Sequence, residues 1–222
     1  MKLSVVIPTL DEAPRIAAAV RSVAAGADEV LVVDGGSRDG TPERAIAAGA
    51  NVVSSSPGRA VQLGVGADTA VGDVILFLHA DTMLAEGWER GLRRALADPA
   101  VVGGAFRFRL DERSWRFRWL EWGTRFRVAV FALPYGDQAI FVRRPVLDAI
   151  GGVPQVPILE DLDLVKQMRQ QGRLALLSVP ATTSARRYRD AGAFRTVFRH
   201  LVAAGAWALG FDRQNIATWV RR

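Results

Sequence analysis

Acidic residues gather where short apolar runs end. Leu3-Ser-Val-Val-Ile-Pro-Thr-Leu-Asp-Glu12 closes on two carboxylates. Val30-Leu-Val-Val-Asp-Gly-Gly-Ser-Arg-Asp-Gly-Thr41 carries Asp34 and Asp39, and Val74-Ile-Leu-Phe-Leu-His-Ala-Asp-Thr82 carries His79 and Asp81. Further along, Glu160-Asp161-Leu-Asp163 sets three acids within four residues. Carboxylates accept hydrogen bonds and are the oxygen ligands that hard cations prefer. Gly58-Arg59 opens an expected helix, where free backbone N–H groups and the helix dipole favour an anion, and Gln62 lies about one turn on. Each motif also has a plainer explanation. Asp34 and Ser37 suit the capping of a Gly-rich turn, an exposed Arg at a helix start is common, and acids in a first helical turn are favoured by the dipole alone.

The elements that would position these groups follow from periodicity. The three apolar runs are rich in Val, Ile and Leu without polar alternation, which suits parallel strands covered on both faces. Open α/β sheets bind ligands outside the carboxyl ends of such strands, where these acids stand. The pattern predicts strands over 3–8, 29–34, 51–54 and 73–78, alternating with helices over 14–25, from 41, over 59–70 and over 84–97. Thr41-Pro42-Glu43 reads as a helix start, with Thr as N-cap and Pro at the first helical position. Strand alternation carried through 79–81 would put His79 and Asp81 on one side, with Ala80 opposite. After Asp98-Pro99 the rhythm changes: strands are expected over 101–110 and 138–143, a helix opening at Glu160, two short strands near 174–179 and 182–186, and a terminal amphipathic helix.

The 222 residues are half apolar, enough for a full α/β core. Cysteine is absent, which excludes disulfides, thiolate metal sites and thiol nucleophiles. The net charge is +6, and Lys2 and Lys166 are the only lysines, so arginine supplies nearly all of the basic residues. An anionic partner suits that balance. The apolar stretch from Leu201 to Phe211 is about half of the ~20 residues a spanning helix needs, leaving interfacial contact as the membrane option. With no leader-like pattern at Met1-Lys2, a cytoplasmic protein is expected, peripheral at most to the inner membrane face.

The ordered landmarks resemble the family 2 glycosyltransferases of GT-A fold. They are Val6-Ile-Pro-Thr-Leu-Asp-Glu12, Val33-Asp-Gly-Gly-Ser-Arg-Asp-Gly-Thr41, Leu76-Phe-Leu-His-Ala-Asp81, Ala149-Ile-Gly-Gly152 and Leu159-Glu-Asp-Leu-Asp-Leu164. Gly58-Arg-Ala-Val-Gln62, Phe77-Leu-His-Ala-Asp-Thr82 and Tyr135-Gly-Asp-Gln138 are most similar to a small bacterial subgroup associated with arsenosugar biosynthesis. The resemblance implies an α/β fold with a Rossmann-like, mixed but mostly parallel central sheet flanked by helices. Residues 1–98 would bind the nucleotide sugar, and 99–222 would bind the acceptor. It also implies an inverting, metal-assisted transfer from a nucleotide sugar, uridine-linked, to an acceptor hydroxyl.

Under that resemblance Pro8, Thr9 and Glu12 frame base and ribose, and Asp34 with Ser37 receives the nucleobase. A carboxylate can accept from an imide N–H, so the role is chemically sound. Arg59 and Gln62 reach the nucleotide or its diphosphate; many relatives carry Asn where this chain has Gly64. His79, Ala80 and Asp81 occupy the Asp-x-Asp position, with Asp81 the ligand of Mn²⁺ or Mg²⁺ and His79 assisting through a ribose hydroxyl or the metal itself. Asp161 is implied as catalytic base, with Glu160 or Asp163, which share a helical face, orienting it or contacting the acceptor. Asp137 or Gln138 would lie near the donor sugar. The acceptor would be lipid-linked or anionic.

Other nucleotide enzymes fit less well. A dinucleotide fold needs Gly-x-Gly-x-x-Gly after the first strand, where Pro8-Thr9-Leu10 stands; a P-loop Gly-Lys-Ser/Thr and the Arg- and Gly-rich loop of a nucleotidyltransferase are both missing. A non-enzymatic binder of RNA or another anionic ligand is the remaining alternative, prompted by seven arginines and seven aromatics over 106–127. No RNA-binding signature accompanies them, so no nucleic-acid partner is expected. Trp115, Trp119, Trp122 and Phe126 would share one helical face, for core packing, sugar stacking or membrane contact.

Overall fold

A computed structural model describes residues 1–112, 136–190 and 192–221. The proposed Trp115–Trp119–Trp122–Phe126 face and Tyr135 lie outside them. The first strands are β1 (Leu3–Thr9), β2 (Glu29–Asp34), β3 (Asn51–Ser54) and β4 (Val74–Phe77). They are joined by α1 (Ile16–Ala24), α2 (Thr41–Ala47) and α3 (Arg59–Thr69). β5 (Thr82–Leu84), α4 (Trp88–Ala95) and β6 (Val101–Leu110) follow. After a 3₁₀ turn at Gly136–Gln138 come β7 (Ile140–Arg143), α5 (Arg144–Ala149), α6 (Glu160–Gln171) and β8 (Arg173–Thr183). The chain then runs through α7 (Arg186–Asp190), α8 (Ala193–Ala208) and α9 (Arg213–Arg221).

The strands form one sheet in the order β3-β2-β1-β4-β7-β6-β8-β5. β1 to β4 pair in parallel, β7 is antiparallel to both β4 and β6, and β6 runs parallel to β8. The expected mixed, mostly parallel sheet flanked by helices is the observed one. Strand alternation divides the core into two layers. Val5, Ile7, Val30, Val32, Val74 and Leu76 pack with Ile16 and Val20 of α1 and with Trp88 and Leu92 of α4. The intervening Val6, Leu31, Val33, Ile75 and Phe77 pack with Leu63 of α3 and with Leu164, Val165 and Met168 of α6. The Arg-aromatic interleaving has the same origin where it is described, since Phe106 and Phe108 of β6 are buried while Arg107 and Arg109 are exposed.

Two neighbouring arginines tie helix ends to the sheet. Arg143 donates to the carbonyls of Val101, Leu96 and Asp98, and Arg144 to those of Gly72, Ala67 and Ala70. They satisfy carbonyls left over at the ends of α4 and α3, where the helix dipole also favours a cation.

Several boundaries depart from the sequence pattern. β4 stops at Phe77, and Thr82 N–H donates to the His79 carbonyl at 3.0 Å, so 79–82 is a turn rather than strand. The residues expected to begin a helix at 84 instead form β5, recruited by antiparallel pairing with Thr182 and Thr183. The two short strands expected near 174–186 are one strand, β8, whose register against β6 slips between Ala105 and Arg107. Pro180 lies at that slip, where a missing N–H is tolerated. α2 is capped by Gly40 rather than Thr41, whose hydroxyl accepts from the Glu12 N–H at 2.9 Å. The expected single terminal helix is a short α7 followed by α8 and α9.

Gly66 lets α3 lie directly on the sheet, because a Cβ there would stand 2.2 Å from Val6 Cγ1 and 3.0 Å from Val33 Cγ2. Gly66→Ala is expected to lower stability by about 1–3 kcal/mol through overpacking, read as a fall in the urea midpoint.

Candidate active site

α6 begins abruptly. Leu159 takes a left-handed φ of 63°, which turns the backbone so that Glu160 and Asp161 open the helix from a buried position. Asp11 (φ 53°) and Ala139 (φ 50°) are the other non-glycine residues with positive φ among those described. All three stand in turns beside the acids picked out above. Such backbone costs roughly 1–2 kcal/mol per residue, and it persists only where the surroundings determine it.

Glu160 is 2% exposed and forms an ion pair with the Arg59 guanidinium at the start of α3, 101 residues away in sequence. Burial works against the Arg59 charge, but the fields of Glu160, Asp161 and Asp137 and the Glu160 hydrogen bond outweigh it and hold the guanidinium above its ordinary range. Asp161 Oδ2 accepts from the Gly136 N–H at 2.7 Å and Oδ1 from the Leu162 N–H at 2.9 Å. Gly136 leaves room where it matters: a Cβ would lie 2.9 Å from His79 Nε2 and 3.3 Å from Asp161 Oδ2. Arg59, His79, Asp137, Glu160 and Asp161 line a cavity of about 690 Å³, shared with the Gln155–Leu159 loop and with His200, Ala203, Gln214 and Val220 of α8 and α9. Of the pair Asp137 and Gln138, only Asp137 faces this cavity; Gln138 turns inward and donates to the Phe106 carbonyl at 3.1 Å.

A second group stands at the carboxyl ends of β1 and β2. Thr9 is buried, and its Oγ1 has no hydrogen-bond partner among the described residues. Gln62 Nε2 donates to the Thr9 carbonyl at 2.7 Å and the Val33 carbonyl at 2.8 Å, which clasps the two strand ends together. Pro8, opposite Val33, brings no N–H to this ladder. Asp34 Oδ2 accepts from the Gly36 and Ser37 N–H groups, both at 3.0 Å, and Oδ1 from Ser37 Oγ at 2.5 Å. The turn-capping reading of Asp34 and Ser37 is thus realised, and one of the roughly four acceptor positions of the carboxylate remains for a ligand. Glu12 bridges Arg15 at 3.2 Å and Arg186 at 3.0 Å, joining this edge to the C-terminal segment.

His79 and Asp81 do not form the alternating pair expected of them, because they lie in a turn. His79 faces the cavity; the Asp81 carboxylate stands 3.4 Å from Thr183 Oγ1, and the Ala80 methyl is buried in the core. Asp163 is also placed differently. It neither touches Asp161 nor lines the cavity, but accepts from Trp207 Nε1 and from Arg213 Nη2 through both oxygens, each contact at 2.8 Å. Lys166 and Arg213 lie 5.6 Å and 5.9 Å from the Trp207 ring centre. Asp163 therefore latches α8 and α9, which wall the cavity, to the helix that carries Glu160 and Asp161.

Gln155 was not singled out by sequence, and Gly136 only as a member of the Tyr135-Gly-Asp-Gln138 landmark. Gln155 donates to the Ala60 and Val153 carbonyls, and Gly64 makes room for it, since a Cβ at 64 would stand 2.7 Å from Gln155 Nε2. Gln155 thus takes the space that a side chain at 64 would occupy.

The chain matches glycosyl transferase family 2 over residues 4–148 and belongs to that family. It is 36% identical over 92 residues to glucosyl-3-phosphoglycerate synthase of Mycolicibacterium paratuberculosis, a match covering 36% of this chain and 28% of that protein. The matched stretch is thus little more than a quarter of that curated relative. A crystal structure of glucosyl-3-phosphoglycerate synthase from Mycobacterium tuberculosis with Mn²⁺, UDP and glucosyl-3-phosphoglycerate superposes with a TM-score of 0.68 at 22% identity, covering 95% of this chain and 81% of that one. The same enzyme with Mn²⁺ and UDP-glucose gives 0.68 at 21%, covering 95% and 80%. At these identities the likeness is one of fold.

Asp163→Ala leaves the Trp207 and Arg213 donors without their acceptor. The expected cost is about 1.5–3 kcal/mol, with faster amide exchange confined to α8 and α9. Exchange unchanged in those helices would contradict the latch.

Proposed function

We propose that the protein is an inverting glycosyltransferase that moves a sugar from a nucleotide-sugar donor, uridine-linked, to an acceptor hydroxyl. The observation that carries this reading is the meeting of Asp161, Asp137, His79 and Arg59 in one cavity of a family 2 chain, beside the strand ends that hold Thr9 and Asp34. Residues 1–98 would supply the donor site and 99–222 the acceptor side. Thr9 Oγ1, buried with its bonding capacity unused, suits a donor nucleotide at the edge framed by Pro8, Glu12, Asp34 and Ser37. Asp161 would take the proton of the acceptor hydroxyl as that oxygen attacks the anomeric carbon. Its oxygens each hold one backbone N–H, which fixes the carboxylate while leaving lone pairs for the proton. Arg59 would stabilise the departing diphosphate, and Glu160 would position Arg59.

A divalent cation, Mn²⁺ or Mg²⁺, fits the donor set in one way. Among the described residues no three His, Asp or Glu side chains converge on a cation cage. Hard cations that bind nucleotides commonly take one or two carboxylates and fill the rest of their shell with phosphate oxygens and water. Asp81 would be that carboxylate, with His79 assisting at the ribose. When bound, the ion would neutralise charge on the leaving diphosphate. Both metals and UDP occur in the mycobacterial synthase complexes.

The acceptor class is narrower than "any hydroxyl". The basic C-terminal half suits an anionic acceptor, and the mycobacterial synthase binds one, phosphoglyceric acid. The Gly58-Arg59, His79-Ala80-Asp81 and Gly136-Asp137-Gln138 forms favour instead the subgroup associated with arsenosugar biosynthesis. Screening nucleotide sugars for slow hydrolysis identifies the donor before any acceptor is known.

Calorimetry with UDP and Mn²⁺ tests the donor site. The wild type is expected to bind only with metal, and Asp81→Ala to lose that dependence together with most of the affinity. Salt-sensitive RNA binding without nucleotide binding would favour the non-enzymatic alternative. Asp161→Asn is expected to keep nucleotide affinity within about twofold and to lower transfer by about 10²–10⁴-fold. Full transfer by this variant would remove Asp161 from the role.

A further inference from the structure

Charge along this chain is strongly segregated. From Arg186 to Arg222 there are eight arginines and two acids, Asp190 and Asp212, a surplus of +6 that equals the net charge of the whole protein. The preceding 185 residues are therefore neutral overall, and their Glu12, Glu112 and Asp163 pair with Arg186, Arg189 and Arg213 of the stretch. The same stretch presents large apolar side chains to solvent: Phe198 at 63%, Leu201 at 58% and Leu209 at 78% exposed, with Phe211 and Trp219 beside them.

On α8 the exposed residues follow a helical period. Arg195, Phe198, Leu201, Val202, Gly205 and Leu209 succeed one another at steps of three or four, with one extra neighbour, and trace one face of the helix. The face is apolar apart from the arginine that begins it. The helix itself, Ala193–Ala208, contains no acidic residue. Its opposite side is occupied, because His200 and Ala203 line the cavity and Trp207 enters the Asp163 latch.

We propose that α8 and α9 form a membrane-surface anchor that seats the protein on an anionic bilayer and holds the cavity against it. A basic helix with one apolar face and no acids lies in the plane of an interface, its side chains entering the acyl boundary and its arginines meeting lipid phosphates. Spanning is not available to it, since no described helix is long and apolar enough to cross a membrane. Charge also argues against a second copy of the chain as the occupant, because self-contact would press together two helices that each carry Arg195 and Arg199 and no acid. If the glycosyl-transfer reading holds, on which this extension rests, the inner side of the anchor would admit a lipid-carried acceptor to Asp161.

Flotation of the full chain with vesicles tests the anchor without reference to catalysis. Binding is expected to vesicles of phosphatidylcholine with phosphatidylglycerol, to be absent with phosphatidylcholine alone, and to weaken as salt rises. The F198S/L201S/L209S variant is expected to lose on the order of tenfold or more of that binding. R195Q should lose about fivefold, mostly from the lipid-charge dependence. All three serine positions are exposed, so the melting temperature and UDP affinity should not change. Wild-type chain that floats with neither vesicle, or a triple variant that binds as wild type does, would overturn the anchor. So would a wild-type dimer that the triple variant dissolves without any vesicle binding. Absent UDP binding in all variants would strike the glycosyl-transfer reading and leave the vesicle result standing.

Discussion

A carboxylate almost cut off from water needs a cation, and the Glu160–Arg59 pair is the contact around which this site is arranged. It joins the first turn of α3 to the first turn of α6, elements brought in from opposite parts of the chain. Acids at the start of α6 agree with its dipole, while Arg59 at the start of α3 does not agree with its own. Glu160, Asp161 and Asp137 together make that position tenable for a guanidinium. Removing Arg59 would leave Glu160 buried and facing the like charge of Asp161, a loss much larger than the net worth of the pair.

Around this contact the sheet acts as a frame with open ends. Gln62 closes two strand-end carbonyls, Arg143 and Arg144 close helix ends, and Asp34 closes its own turn. Backbone groups that would otherwise need water are thereby satisfied internally, by Gln62 and Asp34 at the strand ends of the site and by Arg143 and Arg144 at the opposite end of β4. Left-handed Leu159, Ala139 and Asp11 sit in the turns that carry the site's acids. The cost is offset by burial at Ala139 and by hydrogen bonds to Ser37 and Arg38 at Asp11, and the result is side chains aimed from turns rather than from regular elements.

Much of the architecture was legible because it is local. The strands at Asn51–Ser54 and Val101–Leu110 begin and end where apolar pattern and turn residues say they should. Asp161, Glu160, Arg59, Asp137 and His79, named from motifs scattered over a hundred residues, do converge. What escaped was set by distant partners. β5 exists because Thr182 and Thr183 pair with it, a fact no window around residue 83 contains. The strands expected near 174–179 and 182–186 are one, because a register slip at Pro180 absorbs the missing N–H. Asp163 shares a helical face with Glu160, yet Trp207 and Arg213, 44 and 50 residues further on, decide what it does.

The Arg59–Glu160 pair also sets an entry threshold. A lone guanidinium in a cleft collects whatever small anion the solution offers. Here Glu160 already occupies that role, and Asp137 and Asp161 leave the lining acidic, so a singly charged anion gains little by displacing it. A ligand with several negative charges, engaging Arg59 while it also fills the strand-end sites, can shift the balance. Discrimination between metabolites would then begin with an internal competitor, built into the chain and tethered at the point of entry.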